Sequence, residues 1–410
     1  MDLTHSPEDL AFRARTRRWL EEHVPRHALR TLAERKAWHR ELYAAGYVGM
    51  GWPRAYGGQD ASVIQQAIVV DEMARVNAPP PINDLGIGVV GPTLLAHGTE
   101  RQKERYLRNI LTAHEIWCQL YSEPDAGSDL ASLKTRATDE GDVFVVDGQK
   151  VWTSDGPVAD RGLLLARTNP AAPKHHGISC FLIDMRQSGI AVRPLRQITG
   201  GEEFSEVFLT RAGVAKEDLV GRLGQGWEIA RTTLASERGA TALARITGYR
   251  AAVNELLTAA RRLRRDGRAL IEHPAVRINL GRIVAEVEVQ RYAALRMLSA
   301  MQQTPGTGPH PSIVKLSYSE FEKRLFDLAL EILGPYGQLV AEGPEGLDSR
   351  IVTYSGHGTT WAYAYLWSRA ATIYGGSSEI QKNVLADRVL ELPRLSRAGR
   401  LPDAGRGVAG

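Results

Sequence analysis

Four places in this 410-residue chain carry residue types at spacings that could do chemistry. Gln119 to Leu130, reading QLYSEPDAGSDL, runs a hydrophobic strand into a turn of small residues and backbone donors that a polar ligand could approach. Lys150 to Ser154, reading KVWTS, sets the aromatic Trp152 beside two hydroxyls, of which Ser154 is the candidate. Ile373 to Gln381, reading IYGGSSEIQ, opens a helix: Gly375 and Gly376 let the backbone come close to a ligand, and the helix N-terminus bearing Ser377 and Glu379 can face phosphate. The fourth is a carboxylate. Glu237 shares a helical stripe of small or apolar residues with Ala230, Leu234, Thr241 and Ala244, and burial there would raise its pKa toward that of a useful base.

Each signal has a plainer reading. A Gly-Ser turn is usually just a turn, Trp152 could be an interface aromatic, and Glu237 could be a core-edge carboxylate paired with an arginine one turn away. Arg238 lies seven residues from both Arg231 and Arg245, so a solvated basic face explains it as well as a ligand role does. His357, in Ser355-Gly356-His357-Gly358, is a pocket candidate set against the commoner mobile-loop histidine.

The elements that must position these groups divide by period. Residues 1–114 read as an all-α domain, with Phe12, Trp19 and Leu20 at helix-face spacing and Gly57-Gly58 and Ala78 to Pro81 as punctuation. Residues 115–225 alternate, as in Asp142 to Asp147, Ile178 to Ile183 and Glu206 to Leu209, with Asp147-Gly148 as a turn signal. That predicts a compact β domain. Residues 226–393 return to the helical period, broken at Thr304-Pro305-Gly306 and over Gly334 to Gly358, and read as a helical bundle; 394–410 reads as a disordered tail. The fold class is α+β, multidomain. With 51 basic against 47 acidic residues the charge is near balance and implies neither nucleic acid nor membrane as partner. Cys118 and Cys180, in apolar strand-like runs with no signal peptide or long apolar span ahead of them, predict a reduced, soluble, cytoplasmic protein.

The order and spacing of the three motifs, together with GPTLLAHGTE at Gly91 to Glu100 and the Asp387 to Leu390 ending, resemble the acyl-CoA dehydrogenase family of flavoproteins from about Phe12 to about Pro393. The resemblance implies an N-terminal helical domain, a middle β-barrel and a C-terminal four-helix bundle, with FAD between the last two. It implies that Tyr121 and Ser122 meet the pyrimidine edge of the flavin, that Trp152 covers the ring, and that Ser154 reaches toward N5. Ser377 and Glu379 would touch the adenosine part from a neighbouring subunit, and Ser128 and Arg238 the pantetheine arm of an acyl thioester. Many members carry their catalytic Glu just after the Tyr of the last motif. Here that position is Gly375, and the branch that places the base on the first bundle helix, before an Arg, matches Glu237-Arg238. Arg262 to Arg268, Glu331 and Gly334 to Gly337 depart from the family's FAD-contact pattern. The expected activity is dehydrogenation of an acyl-CoA or acyl-carrier thioester to the trans-2-enoyl thioester. An electron-transferring flavoprotein is the expected acceptor, and a homotetramer or dimer, or a heteromer, the expected assembly. A flavin oxidase or monooxygenase on the same scaffold, and a non-catalytic subunit of a heteromeric dehydrogenase, stand as alternatives.

Overall fold

The computed structural model describes residues 6–27, 29–303, 311–338, 351–352 and 358–393, excluding the side chains of 235–244, 298–303, 351–352 and 358–359. Five helices come first: α1 (Pro7–His23), α2 (Leu32–Ala44), α3 (Val63–Arg75), α4 (Gly91–His97, entered through a π-helical turn at Gly86–Val90) and α5 (Glu100–Leu111). Four of them start at capping boxes, Ser6/Asp9, Thr31/Glu34, Ser62/Gln65 and Thr99/Gln102. In each, two otherwise orphaned amides are satisfied reciprocally, so the helix start is written into the local sequence. Glu72 of α3 is buried and takes Arg13 and Arg17 of α1 and Arg75 of its own helix at 2.8 to 3.0 Å, tying the two helices together.

A mixed sheet follows, of β1 (Trp117–Leu120), β2 (Arg136–Asp139), β3 (Val143–Ser154), β4 (Arg161–Arg167), β5 (Ile178–Asp184), β6 (Ile190–Leu195), β7 (Phe204–Ala215) and β8 (Leu219–Val220). Its order is β6-β7-β3-β2-β4-β5-β8, with β1 parallel on β4. No pairing among the described residues joins β6 to β8, so the domain expected to be a barrel is an open sheet. The turn expected at Asp147-Gly148 is also absent. β3 runs straight through it because β7 bulges opposite, where Arg211 is left-handed at φ 49° and its amide donates to the Asp147 carboxylate. Gly148 is required there by proximity: a Cβ would stand 2.7 Å from the Thr135 Cα.

The chain ends in α6 (Gly226–Arg262), α7 (Pro274–Gln303), α8 (Pro311–Leu333), α9 (Trp361–Ser368) and α10 (Ser378–Arg388). The three long helices pack on one another through Tyr249, Leu256, Ile283, Val287, Phe321 and Leu325, and α9 and α10 dock on α8. Arg264-Arg265 and Arg268-Ala269 form a small hairpin turned by Asp266 and Gly267, both left-handed. One core continues from Leu20, Leu42 and Leu107 through Trp117 and Leu163 to Ile229 and Ala230, so the first helices, the sheet and the start of α6 bury a common apolar surface. Cys118 and Cys180 are free and buried in β1 and β5. Among the described residues no helix is long and apolar enough to cross a membrane.

The Glu72 cluster fixes an acid limit. Burial opposes its charge, but hydrogen bonds from Arg17, Arg75 and Arg13 win and hold its carboxyl down at about 2. Its folded pKa lies below its unfolded value near 4.5, so its contribution to stability is present above pH ~4.5 and is lost as pH falls toward ~2. Thermal unfolding followed between pH 6 and 3 should show a steeper loss in the parent than in Glu72→Gln; equal slopes would contradict this role.

Candidate flavin and thioester site

The first two motifs meet through a buried ion pair. Alternation along β3 carries Phe144, Val146 and Gly148 inward and places Lys150 on the same face, fully buried. Its Nζ donates to Glu123 Oε1 at 2.9 Å and to the Tyr121 carbonyl at 3.0 Å. Glu123 also accepts from the Lys134 and Thr135 amides. Burial alone would raise the Glu123 pKa, yet the Lys150 charge and these donors bring it below the usual range. Burial pushes Lys150 down to about 8 against the pull of Glu123, which leaves it charged at neutral pH. The Val151 amide donates to the Ser122 carbonyl at 2.9 Å. Residues 121–123 and 150–151 are thus sewn together, with the Ser122 hydroxyl left without a partner among the described residues.

Immediately beyond this seam β3 bulges. Lys150 pairs with Val207 and Thr153 with Ser205, so Val151 and Trp152 oppose the single residue Glu206. Trp152 takes the left-handed conformation at φ 59°, and its side chain is 61% exposed. For a bulky residue this backbone costs about 1–2 kcal/mol. The bulge turns the indole out of the sheet, in edge contact with Phe204. Ser154, half-buried and with a hydroxyl that has no hydrogen-bond partner among the described residues, follows on the same strand. Phe204 stacks on Trp367 of α9, and the Tyr363 hydroxyl donates to Glu203 at 2.9 Å, so the bundle closes against this edge of the sheet. Tyr121 sends its hydroxyl to Thr233 of α6 at 3.2 Å. An exposed aromatic plane beside two unpartnered hydroxyls is a donor set that fits a planar ring with polar edges, as in FAD.

The third motif is a tight turn. Gly375 and Gly376 are left-handed at φ 62° and 90°, and buried Gln381 donates to both their carbonyls. Ser377 caps α10 by accepting from the Ile380 amide, and Glu379 sits in the exposed first turn. Beneath lies a charged cluster: Arg245 donates to the Tyr374 hydroxyl at 3.0 Å and lies 3.6 Å from Glu322, which accepts from Tyr249 at 2.6 Å. Burial raises the Glu322 pKa, with Arg245 and Tyr249 opposing.

Tyr121, Ser122, Trp152 and Ser154 are therefore brought to one edge of the sheet. Ser128 is exposed in the turn after β1. No hydrogen bond, ion pair or ring contact among the described residues joins Ser377 or Glu379 to the first two motifs. Glu237 and Arg238 fall on the continuous backbone of α6, with side chains outside the described residues, as is His357 altogether. Sequence reasoning missed Gln381, and missed that Lys150 is the buried fastener; the alternation of β3 was the available signal for the latter.

Three domain families match in succession: the acyl-CoA dehydrogenase N-terminal domain over 6–114, the middle domain over 118–212 and the C-terminal domain over 224–390. The acyl-CoA dehydrogenase IpdE1 of Mycobacterium tuberculosis (strain ATCC 25618 / H37Rv) is 37% identical over 396 residues, 93% of this chain and 97% of that protein. A solved structure described as "Tcur3481-Tcur3483 steroid ACAD" superposes with a TM-score of 0.82 at 30% identity, covering 96% of this chain and 100% of that one. The ChsE4-ChsE5 complex from Mycobacterium tuberculosis gives 0.81 at 28% identity over 96% and 100%.

Lys150→Met should destabilise the protein by about 3–5 kcal/mol in denaturant titration, because it strands a buried carboxylate. Adding Glu123→Gln should recover part of that loss. A Lys150→Met protein as stable as the parent would show that the pair does not hold the seam.

Proposed function

This chain belongs to the acyl-CoA dehydrogenase family, and we propose that Glu237 is the base that takes the α-proton of its acyl thioester, giving the trans-2-enoyl product. The family's members are FAD-dependent enzymes that dehydrogenate acyl-CoA. Bound FAD supplies the acceptor, at its N5, for the hydride that leaves the β-carbon. The observation that carries the assignment is the residue after Tyr374: Gly375 has no side chain and offers no base. α6 offers the alternative. Position 237 lies one turn beyond Thr233, which bonds Tyr121 of the first motif, and one heptad beyond buried Ala230. A carboxylate there would be shielded from water and its pKa raised toward neutrality, where general-base catalysis works best.

In this reading Ser122 and the backbone beside it serve the pyrimidine edge of the flavin, Trp152 covers the ring and Ser154 donates near N5. Ser128 and Arg238 hold the pantetheine arm. Ser377 and Glu379 serve the adenosine of a neighbouring subunit, which agrees with their lack of contact with the other two motifs in their own chain. The relative described as a steroid ACAD supports a bulky, ring-derived acyl group, and in this reading the electron acceptor is an electron-transferring flavoprotein. Both structural relatives are named for two different proteins, and one is described as a complex of the two. They support a second reading of the assembly, in which this chain pairs with a different subunit.

Glu237→Gln keeps shape and hydrogen bonding but removes the base. It should retain FAD and bind thioester while lowering the rate of flavin reduction by on the order of 10²-fold or more. Stopped-flow reduction at the parental rate would place the base elsewhere. Trp152→Ala combined with Ser154→Ala should perturb the flavin absorbance and lower FAD retention, because ring cover and an N5-side donor are both lost; an unchanged spectrum would remove these residues from the ring site. For the assembly, native mass and FAD content of the chain purified alone decide: a homotetramer with full FAD contradicts an obligate heteromer.

A further inference from the structure

Beside Ser154 lies a cavity of about 240 Å³, where α2, the loop before the π-helical turn, the end of β3 and the start of β7 meet. Arg35, Asp84, Ser154, Asp155, Phe204 and Trp367 are among its lining. Asp84 is half-buried and borders the cavity. Burial, and then the charge of Asp155, push its carboxyl up to about 7, with Arg35 pulling the other way. Among the described residues neither the Asp84 carboxyl nor the Arg35 guanidinium makes a hydrogen bond or ion pair. Polar groups drawn partly out of water and left unpaired cost stability, and a ligand that completes their bonds offsets that cost.

Three kinds of group could enter. Apolar carbon would leave both side chains unpaired. A carboxylate would suit Arg35 but would meet Asp84, Asp155, Glu202 and Glu203 around the same space. A hydroxyl can donate to Asp84 and accept from Arg35, while Phe204 and Trp367 take the adjoining carbon. We propose that this cavity receives the distal part of the acyl group and that Asp84 and Arg35 select there for a hydroxyl substituent. The proposal rests on the acyl-thioester reading, because Ser154 borders both the cavity and the expected position of the flavin N5.

The test uses FAD-loaded protein in its native assembly and three unreactive thioethers of one chain length: S-hexyl-CoA, S-(6-hydroxyhexyl)-CoA and S-(5-carboxypentyl)-CoA. Equilibrium binding should favour the hydroxylated ligand over the other two by on the order of tenfold or more. Asp84→Leu should reverse the preference between the hydroxyl and hexyl ligands, and Arg35→Met should reduce it, with FAD content and absorbance unchanged in both. Equal binding of all three, tighter binding of the carboxylate, or an Asp84→Leu protein whose flavin spectrum shifts would overturn the proposal, the last because the cavity would then hold part of the flavin. Because the ligands do not react, failure of the dehydrogenase reading is seen separately, as acyl-CoA thioesters that bind but do not reduce the flavin.

Discussion

The buried pair between Lys150 and Glu123 is the contact on which the candidate site depends. Two charges removed from water gain little in net stability, since their mutual attraction mostly offsets desolvation. What they supply here is registry. Lys150 has three protons to place, and the Tyr121 carbonyl and Glu123 take two of them in a space with no water-facing alternative. Glu123 in turn gathers the Lys134 and Thr135 amides, so a turn of small residues that could adopt many conformations is held in one. An apolar pair of the same volume would pack but would not fix which carbonyl lies opposite which strand position.

The bulge at Trp152 is the counterpart of that rigidity. A regular β3 would continue its alternation and leave the residue after Val151 paired edge to edge with β7. Inserting one residue instead turns a large aromatic outward through a conformation that costs about 1–2 kcal/mol, and the flanking order absorbs it. Lys150 and Thr153, on either side, are both fully buried. Strain of this kind persists only where the surroundings over-determine the backbone, and here the surroundings are the seam just described on one side and the Phe204–Trp367–Tyr363 stack on the other. The sheet edge and the bundle therefore meet at the place where a planar ligand has an aromatic face and hydroxyls offered to it.

Much of this was legible in the residues. Sequence reasoning missed the capping boxes at Ser6, Thr31, Ser62 and Thr99, although each is a local signal that needs nothing beyond four consecutive positions. The strand runs at 178–183 and 206–209 fall within observed strands, and that at 142–147 does so from Val143 onward. What was illegible depends on partners distant in sequence. Asp147-Gly148 has the composition of a turn, but Arg211 and a bulge sixty residues away keep it extended. Sheet closure is likewise a property of β6 and β8 relative to each other, which alternation within each strand cannot express. Asp84 carries no motif at all; only the meeting of α2, β3 and β7 makes it a cavity residue.

The turn after Tyr374 shows why the absence of a base there is more than a missing side chain. Two consecutive left-handed glycines make the chain reverse tightly before α10, and Gln381, itself fully buried, spends its amide on both of their carbonyls. A residue with a Cβ at 375 would hold φ near 62° at a cost of about 1–2 kcal/mol. Below it Arg245 bonds Tyr374 and faces Glu322, and Lys315 lies over the Tyr374 ring and donates to the Ala371 carbonyl. The segment is built as a backbone fixture, braced by a helix residue on one side and by a charged cluster on the other. In the proposed reading the carboxylate that takes the substrate proton is carried instead by α6, whose continuous hydrogen-bonded backbone includes position 237, while the turn holds the start of α10.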